Sequence, residues 1–200
     1  MSCIVGLADG DKVWMGADSA SASEDNWAMR RVKAPKVFSL RIGETDHRLL
    51  IGYTSSFRMG QILQHHLEIA GDVIPFAGGE QWYLIKRFIP LVRRILREQR
   101  FTKVESNQEE GGVFLVGMMG HVFRVDIDFH VNESLDGYEA IGCGADFALG
   151  SLFSDTLAGP DPDQRILGAL QAAAHFSAGV ARPFHIYMLP SVGEATKVAL

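Results

Sequence analysis

Ile4-Val5-Gly6-Leu7 starts almost at the first residue, turns at Ala8-Asp9-Gly10-Asp11, and returns through the apolar run Val13 to Ala17, which ends at Asp18. An Asp-Gly pair between two apolar runs is a strong hairpin signal, because glycine reaches the positive φ that a tight turn between twisted strands requires. Strands are therefore expected over about 3–8 and 12–17, paired with each other. Pairing of this kind fixes residue 2 in space and brings Asp18 back toward it. A terminus built into a hairpin is held well enough to do chemistry, and the remaining elements must be arranged around it.

Two further strand-like runs, 36–42 and 48–54, are joined by the turn-rich Gly43-Glu44-Thr45-Asp46. Between the two pairs, residues 19–35 are rich in Ser, Asp, Glu and Arg and read as a long loop. Helical spacing follows. Ser55 or Ser56 can cap a helix through Met59, Ile62, Leu63, His66 and Leu67, with apolar positions three and four apart. A second helix covers about 80–100, which Pro90 should kink or restart. Strands return at 112–118 and 121–127 around Met119-Gly120, and near 136–142. Helices over 145–157 and 163–178 precede a last strand at 184–189. Strand groups and helix groups kept apart predict an antiparallel, layered α+β fold rather than βαβ units.

The 200 residues suit one domain, 1–200, with 47% apolar and 22% charged side chains. A net charge of −5 argues against electrostatic binding of nucleic acid or of an acidic membrane. No apolar stretch approaches a membrane span and no secretory signal is recognisable, so a cytoplasmic protein is expected. Cys3 and Cys143 lack the spacing of a metal site and read as two small, buried, reduced side chains. No metal and no cofactor is expected.

Ser2 is the candidate nucleophile. A small second residue allows removal of Met1, which would place a hydroxyl and a free α-amine on one residue. The amine titrates near 7.7–8.0 in reference peptides, so it can serve as the base that a weak hydroxyl nucleophile needs. Such a site calls for a buried carboxylate and a lysine to tune it electrostatically. Asp18 and Lys36 lie where that reading needs them. From spacing alone, Asp18 can equally cap the 19–35 loop, and Lys36 can be an edge-strand lysine.

Ser2-Cys3-Ile4-Val5-Gly6, Gly16-Ala17-Asp18-Ser19 and Lys36-Val37 resemble the front of proteasome β-subunits and of the bacterial HslV peptidase, which are N-terminal-nucleophile hydrolases. Ala140-Ile141-Gly142-Cys143-Gly144-Ala145 is similar to the family's Ile-Gly-Ser-Gly segment. Ile51-Gly52-Tyr53-Thr54-Ser55-Ser56 resembles the turn that supplies its oxyanion-hole amide and begins its substrate-pocket helix. The resemblance implies a four-layer αββα sandwich and peptide hydrolysis through an acyl-enzyme on Ser2. It makes Lys36 the group that lowers the hydroxyl's pKa and Asp18 the group that orients the lysine. Thr54 or Ser55 would provide the oxyanion amide and Phe57 would line the pocket. Cys143, Gly144 and Ser177 would support the nucleophile.

The sequence departs from the family in three places. The nucleophile is Ser rather than Thr. The loop before Lys36 is slightly long, which leaves Lys33 as a rival lysine. A cysteine replaces the supporting serine, and the position of a nearby family aspartate falls on His175 or is vacant, with Ser177 close by. Only Met1 precedes Ser2, as in the HslV type. The expected protein is a serine/threonine-type endopeptidase acting on peptides or unfolded proteins, assembled as a homo-oligomeric ring, with an ATP-dependent unfoldase as a possible partner. A small-amide hydrolase and a silent scaffold subunit are the alternatives. The basic run Lys86, Arg87, Arg93, Arg94, Arg97, Arg100 and Lys103 reads as a solvated face or a subunit contact.

Overall fold

The computed structural model describes residues 1–22, 28–71, 78–105, 108–155, 159 and 161–199. Residues 23–27 of the expected 19–35 loop and 156–157 of the expected 145–157 helix lie outside the described residues.

The opening hairpin forms as its turn chemistry dictates. β1 (Ile4–Asp9) pairs antiparallel with β2 (Lys12–Ala17), in register from Ile4 opposite Ala17 to Asp9 opposite Lys12. Gly10 takes φ 59° in the turn. The long polar loop carries structure of its own: β3 (Ala20–Ala22) and β4 (Met29–Arg31) form a small antiparallel ladder. Strands this short, with β4 wholly exposed, leave no apolar alternation to read.

β5 (Val37–Arg41) and β6 (Arg48–Tyr53) make the second hairpin. α1 (Phe57–His66) is capped by Ser56, whose hydroxyl accepts from the Met59 N–H at 3.3 Å. The second helix is realised in three pieces: α2 (Gly79–Tyr83), a π-helical turn (Leu84–Phe88), and α3 (Ile89–Glu98). Pro90 explains the break. It brings no N–H to the carbonyl four residues earlier and crowds it, so the preceding turn widens.

β7 (Lys103–Glu105) and β8 (Gln108–Glu110) form a second unforeseen ladder. It delivers Glu109, whose carboxylate accepts from Arg93 at 2.8 Å and also pairs with Arg97. The basic run of α3 is thus partly neutralised within the chain. β9 (Phe114–Met118) and β10 (His121–Val125) turn through Met119 at φ 48° and Gly120 at φ 81°, the two consecutive positive values of a type I′ turn. β11 (Val131–Glu133), β12 (Tyr138–Ile141), α4 (Ala145–Asp155), α5 (Pro162–Phe176), β13 (His185–Leu189) and β14 (Thr196–Lys197) complete the chain.

The first sheet has the order β12-β1-β2-β13-β14, and the second β11-β10-β9-β6-β5. Three apolar cores follow from the two-residue alternation of the strands. Ile4, Val13, Met15, Leu50, Leu115 and Val122 fill the space between the sheets. Val5, Leu7, Ile166 and Leu170 join the first sheet to α4 and α5. Phe38, Ile51, Leu63, Val92 and Phe123 join the second sheet to α1, α3 and the turns around them. This is the four-layer αββα sandwich. Among the described residues, no helix is long and apolar enough to cross a membrane.

The α1 layer sits unusually close to its sheet. A Cβ at Gly60 would lie 2.2 Å from the Tyr53 ring. Helix propensity alone would make Gly60→Ala stabilising by about 1 kcal/mol, whereas overpacking of this kind costs about 1–3 kcal/mol. The overpacking should win, so Gly60→Ala is expected to lower the urea midpoint at unchanged m-value.

Candidate active site

The hairpin register decides where the site forms. Ala17 faces Ile4, so Asp18 falls beside Cys3, and its N–H donates to the Cys3 carbonyl at 3.2 Å. The Asp18 carboxylate is fully buried and accepts four hydrogen bonds. Lys36 Nζ at 2.7 Å and the Cys3 N–H at 3.0 Å reach Oδ1. The N–H groups of Ala20 at 2.8 Å and Ala181 at 3.2 Å reach Oδ2. These donors fill both carboxylate oxygens, so the buried group is compensated rather than merely tolerated.

Lys36 immediately precedes β5 and is 1% exposed. Besides its bond to Asp18, its ammonium donates to Ser2 Oγ at 3.0 Å. Burial pulls the Lys36 pKa below the ordinary lysine range, and Asp18 opposes that shift. Lys33, the rival lysine, is exposed. Lys36 Nζ also lies 5.7 Å from the centre of the Phe57 ring, on the side where the site opens.

Ser2 is itself buried, and its hydroxyl donates to the Met1 carbonyl at 2.6 Å. Its carbonyl is gripped by the Gly144 N–H at 3.3 Å and by Cys143 Sγ at 3.4 Å. Ser177 Oγ in turn donates to Cys143 Sγ at 3.4 Å. Gly142 adopts φ 98°, and a Cβ there would stand 2.2 Å from the Ser2 oxygen. Only glycine admits that approach. Of the two cysteines read as buried, only Cys3 is; Cys143 is exposed at the site. Burial, with Asp18 adding to it, pushes the Cys3 thiol well up, so it stays protonated and inert. His175 is exposed on α5, its ring edge-on to Phe176 with centroids 4.6 Å apart.

A pocket of about 360 Å³ opens beside Ser2, lined by Met1, Ser21, Lys36, Tyr53, Ser55 and Phe57 among others. Tyr53 and Phe57 form its aromatic wall, edge to face with centroids 6.1 Å apart. The Thr54 N–H is occupied by the Val113 carbonyl at 3.2 Å, which removes it as an oxyanion donor. Ser55 takes φ 70°, and its N–H has no acceptor among the described residues. The structure therefore brings Ser2, Asp18 and Lys36 together, links Cys143, Gly144 and Ser177 to the Ser2 carbonyl, and sets Thr54, Ser55 and Phe57 around the opening.

Four contributors escaped sequence reasoning. Ser21 lies in the polar stretch where no strand was visible. The amides of Cys3 and Ala181 act through the backbone and leave no side-chain signature. Tyr53 ends an apolar strand and reads as core.

No family model and no curated protein matches the sequence. Solved structures do match. BPH from Thiobacillus denitrificans in complex with epoxomicin superposes with TM-score 0.69 at 18% identity, over 94% of this chain and 98% of that one. Eukaryotic HslV from Trypanosoma brucei gives 0.63 at 18% identity, over 94% and 99%. Anbu (ancestral beta-subunit) from Yersinia bercovieri gives 0.65 at 12% identity, over 98% and 86%. The layers, the sheet order and these superpositions together show that the chain has the fold of the HslV-like and proteasome-like N-terminal-nucleophile family.

Proposed function

We propose that the chain is a peptidase whose nucleophile is Ser2, freed by cleavage of the Met1–Ser2 bond. The observation that carries this reading is the buried Asp18–Lys36 pair with Lys36 Nζ 3.0 Å from Ser2 Oγ. A buried ammonium donating to a hydroxyl oxygen stabilises the alkoxide that must develop there. The freed α-amine takes the Oγ proton as Oγ bonds to the substrate carbonyl carbon, and the Ser55 N–H faces the resulting oxyanion. A donor of this kind contributes about 3–4 kcal/mol in hydrolases. The C–N bond then breaks, the amine delivers the proton to the leaving nitrogen, and water attacks the ester to restore Ser2. The pocket beside Phe57 would hold the acyl side of the substrate.

Assembly into a homo-oligomeric ring belongs to the same proposal. Phe153 and Phe176 stand about two-thirds exposed on α4 and α5, at 69% and 67%, and Phe147 stacks on Phe176 with centroids 5.3 Å apart. Exposed aromatics on the two helices of one layer suit a subunit contact, and sedimentation velocity reads the assembly state directly. An ATP-dependent unfoldase would feed unfolded chains to such a ring.

Intact mass is the first test. A mass short by one methionine, followed by adduct formation with epoxomicin on wild type but not on Ser2→Ala, is the expected result. Ser2→Ala should lower peptide hydrolysis by more than about 10³-fold. Retained Met1 with full hydrolytic activity would overturn the mechanism.

The ion pair makes a separate, signed prediction. Lys36→Met leaves Asp18 charged and unpaired in the interior, which costs about 3–5 kcal/mol. The double variant Asp18→Asn/Lys36→Met should recover part of that stability in urea denaturation and none of the activity. A pair that served only the fold would let activity return with stability.

The pH profile of kcat/KM should be bell-shaped. Its acid limb reports the α-amine, which must be neutral to accept the proton, near 7.7–8.0 in reference peptides. Its alkaline limb reports Lys36, which must be charged to stabilise the alkoxide. Because burial lowers the lysine pKa, that limb should fall below the ordinary 10.5. Activity still rising at that pH would remove Lys36⁺ from the mechanism.

A further inference from the structure

The inner face of the second sheet is apolar until β10 reaches the open end of the sandwich. Phe123 and Val125 point into the core beneath α1 and α3, and Val122 points between the sheets. Alternation therefore places Arg124 on the Val122 side, between the sheets, opposite Leu115 of the inter-sheet core. A guanidinium at an inward position of a strand that is central in its sheet is expensive unless it reaches polar partners or solvent.

Arg124 reaches both. Its Nε and Nη2 each lie 2.8 Å from one oxygen, Asp126 Oδ1. Among the described residues, its other N–H groups have no acceptor. Arg124 lines a cleft of about 1050 Å³ together with Thr54, Ser55, Gly142, Cys143 and Asp146. This cleft flanks Ser2 on the Cys143 side, and the pocket by Phe57 flanks it on the other. Met1 lines both, so its loss would clear part of the wall of each.

We propose that Arg124 is a specificity-determining residue that binds a substrate carboxylate on the leaving-group side of the scissile bond. The proposal rests on the peptidase reading in one respect, the placing of the scissile bond at Ser2 with the acyl side toward Phe57. The leaving segment then runs into the Arg124 cleft. A carboxylate there accepts charge-assisted hydrogen bonds from the free face of the guanidinium, which Asp126 already holds in place through a single oxygen. Asp146, exposed on the other wall, repels the anion toward the Arg124 side. The carboxylate is either the α-carboxylate of a short peptide or an acidic side chain within a longer one.

Isothermal titration of Ser2→Ala protein lacking Met1 tests this without requiring turnover. Two peptide pairs are compared: a free C-terminal carboxylate against its amide, and, in amidated peptides, Glu against Gln on the leaving side. At least one acid should bind about tenfold tighter than its neutral partner, the advantage shrinking with added salt. The first pair reports a terminal carboxylate and the second an internal acidic side chain. Introducing Arg124→Gln should erase the difference while leaving the neutral peptides' affinity unchanged, and Arg124→Lys should keep part of it. Equal binding of acid and neutral partner in both pairs overturns the proposal, whatever the fold of the Arg124 variants. Acid-selective binding with no cleavage by wild type overturns the peptidase reading and leaves the anion site standing.

Discussion

The Asp18 carboxylate is the point on which the rest of the structure turns. It gathers the amides of Cys3, Ala20 and Ala181 and the ammonium of Lys36, groups from four separate stretches of chain. A buried charge so placed is neutral in cost only when all its acceptor sites are filled, and leaving one partner out exposes the full desolvation penalty. The strand ends therefore cannot drift independently. Wherever Asp18 sits, Lys36 must follow, and with it the oxygen of Ser2.

Two sheets packed face to face make this possible because each contributes one half of the site. The first sheet brings Ser2 just before β1 and Asp18 just after the neighbouring β2, and the second brings Lys36 at the head of β5 and Tyr53 at the end of β6. Lys36 and Tyr53 are tied by the bond from the Tyr53 N–H to the Lys36 carbonyl at 3.0 Å. The inter-sheet core of Ile4, Met15, Val37 and Leu50 sets the spacing across which Lys36 reaches Ser2. Packing that holds strands at a fixed separation is thus also what fixes a 3.0 Å contact between groups 34 residues apart.

Much of this was legible in the sequence, and for identifiable reasons. The opening hairpin announced itself through Asp9-Gly10, the break in the second helix through Pro90, and the α1 start through the Ser55-Ser56 pair, of which the structure uses Ser56. The β3–β4 and β7–β8 ladders did not, because strands of three residues in polar sequence carry no period. Lys36 and Lys33 could be ordered only by their distance from an apolar strand, a cue that depends on knowing where the strand begins. The choice between Thr54 and Ser55 as oxyanion donor lay beyond sequence altogether, since it turns on the Val113 carbonyl taking one amide and not the other. Arg124 was legible in principle: in His121-Val122-Phe123-Arg124-Val125 the charge falls on the inward register, a conflict with the pattern that often marks function.

The replacement of a supporting serine by Cys143 shows how much of the site the backbone carries. A thiol is a weak donor, and its contact with the Ser2 carbonyl is 3.4 Å, beside a 3.3 Å bond from the Gly144 N–H. Gly142, whose φ of 98° lets the chain pass against the Ser2 oxygen, holds the segment there whatever side chain follows. Position 143 is therefore free to vary in chemistry while residue 2 stays in place. What cannot vary is the pair beneath it. Lys36 has no backbone substitute, because only a long side chain ending in a charge can leave the head of β5, cross the inter-sheet space, and meet both a carboxylate and a hydroxyl at hydrogen-bonding distance.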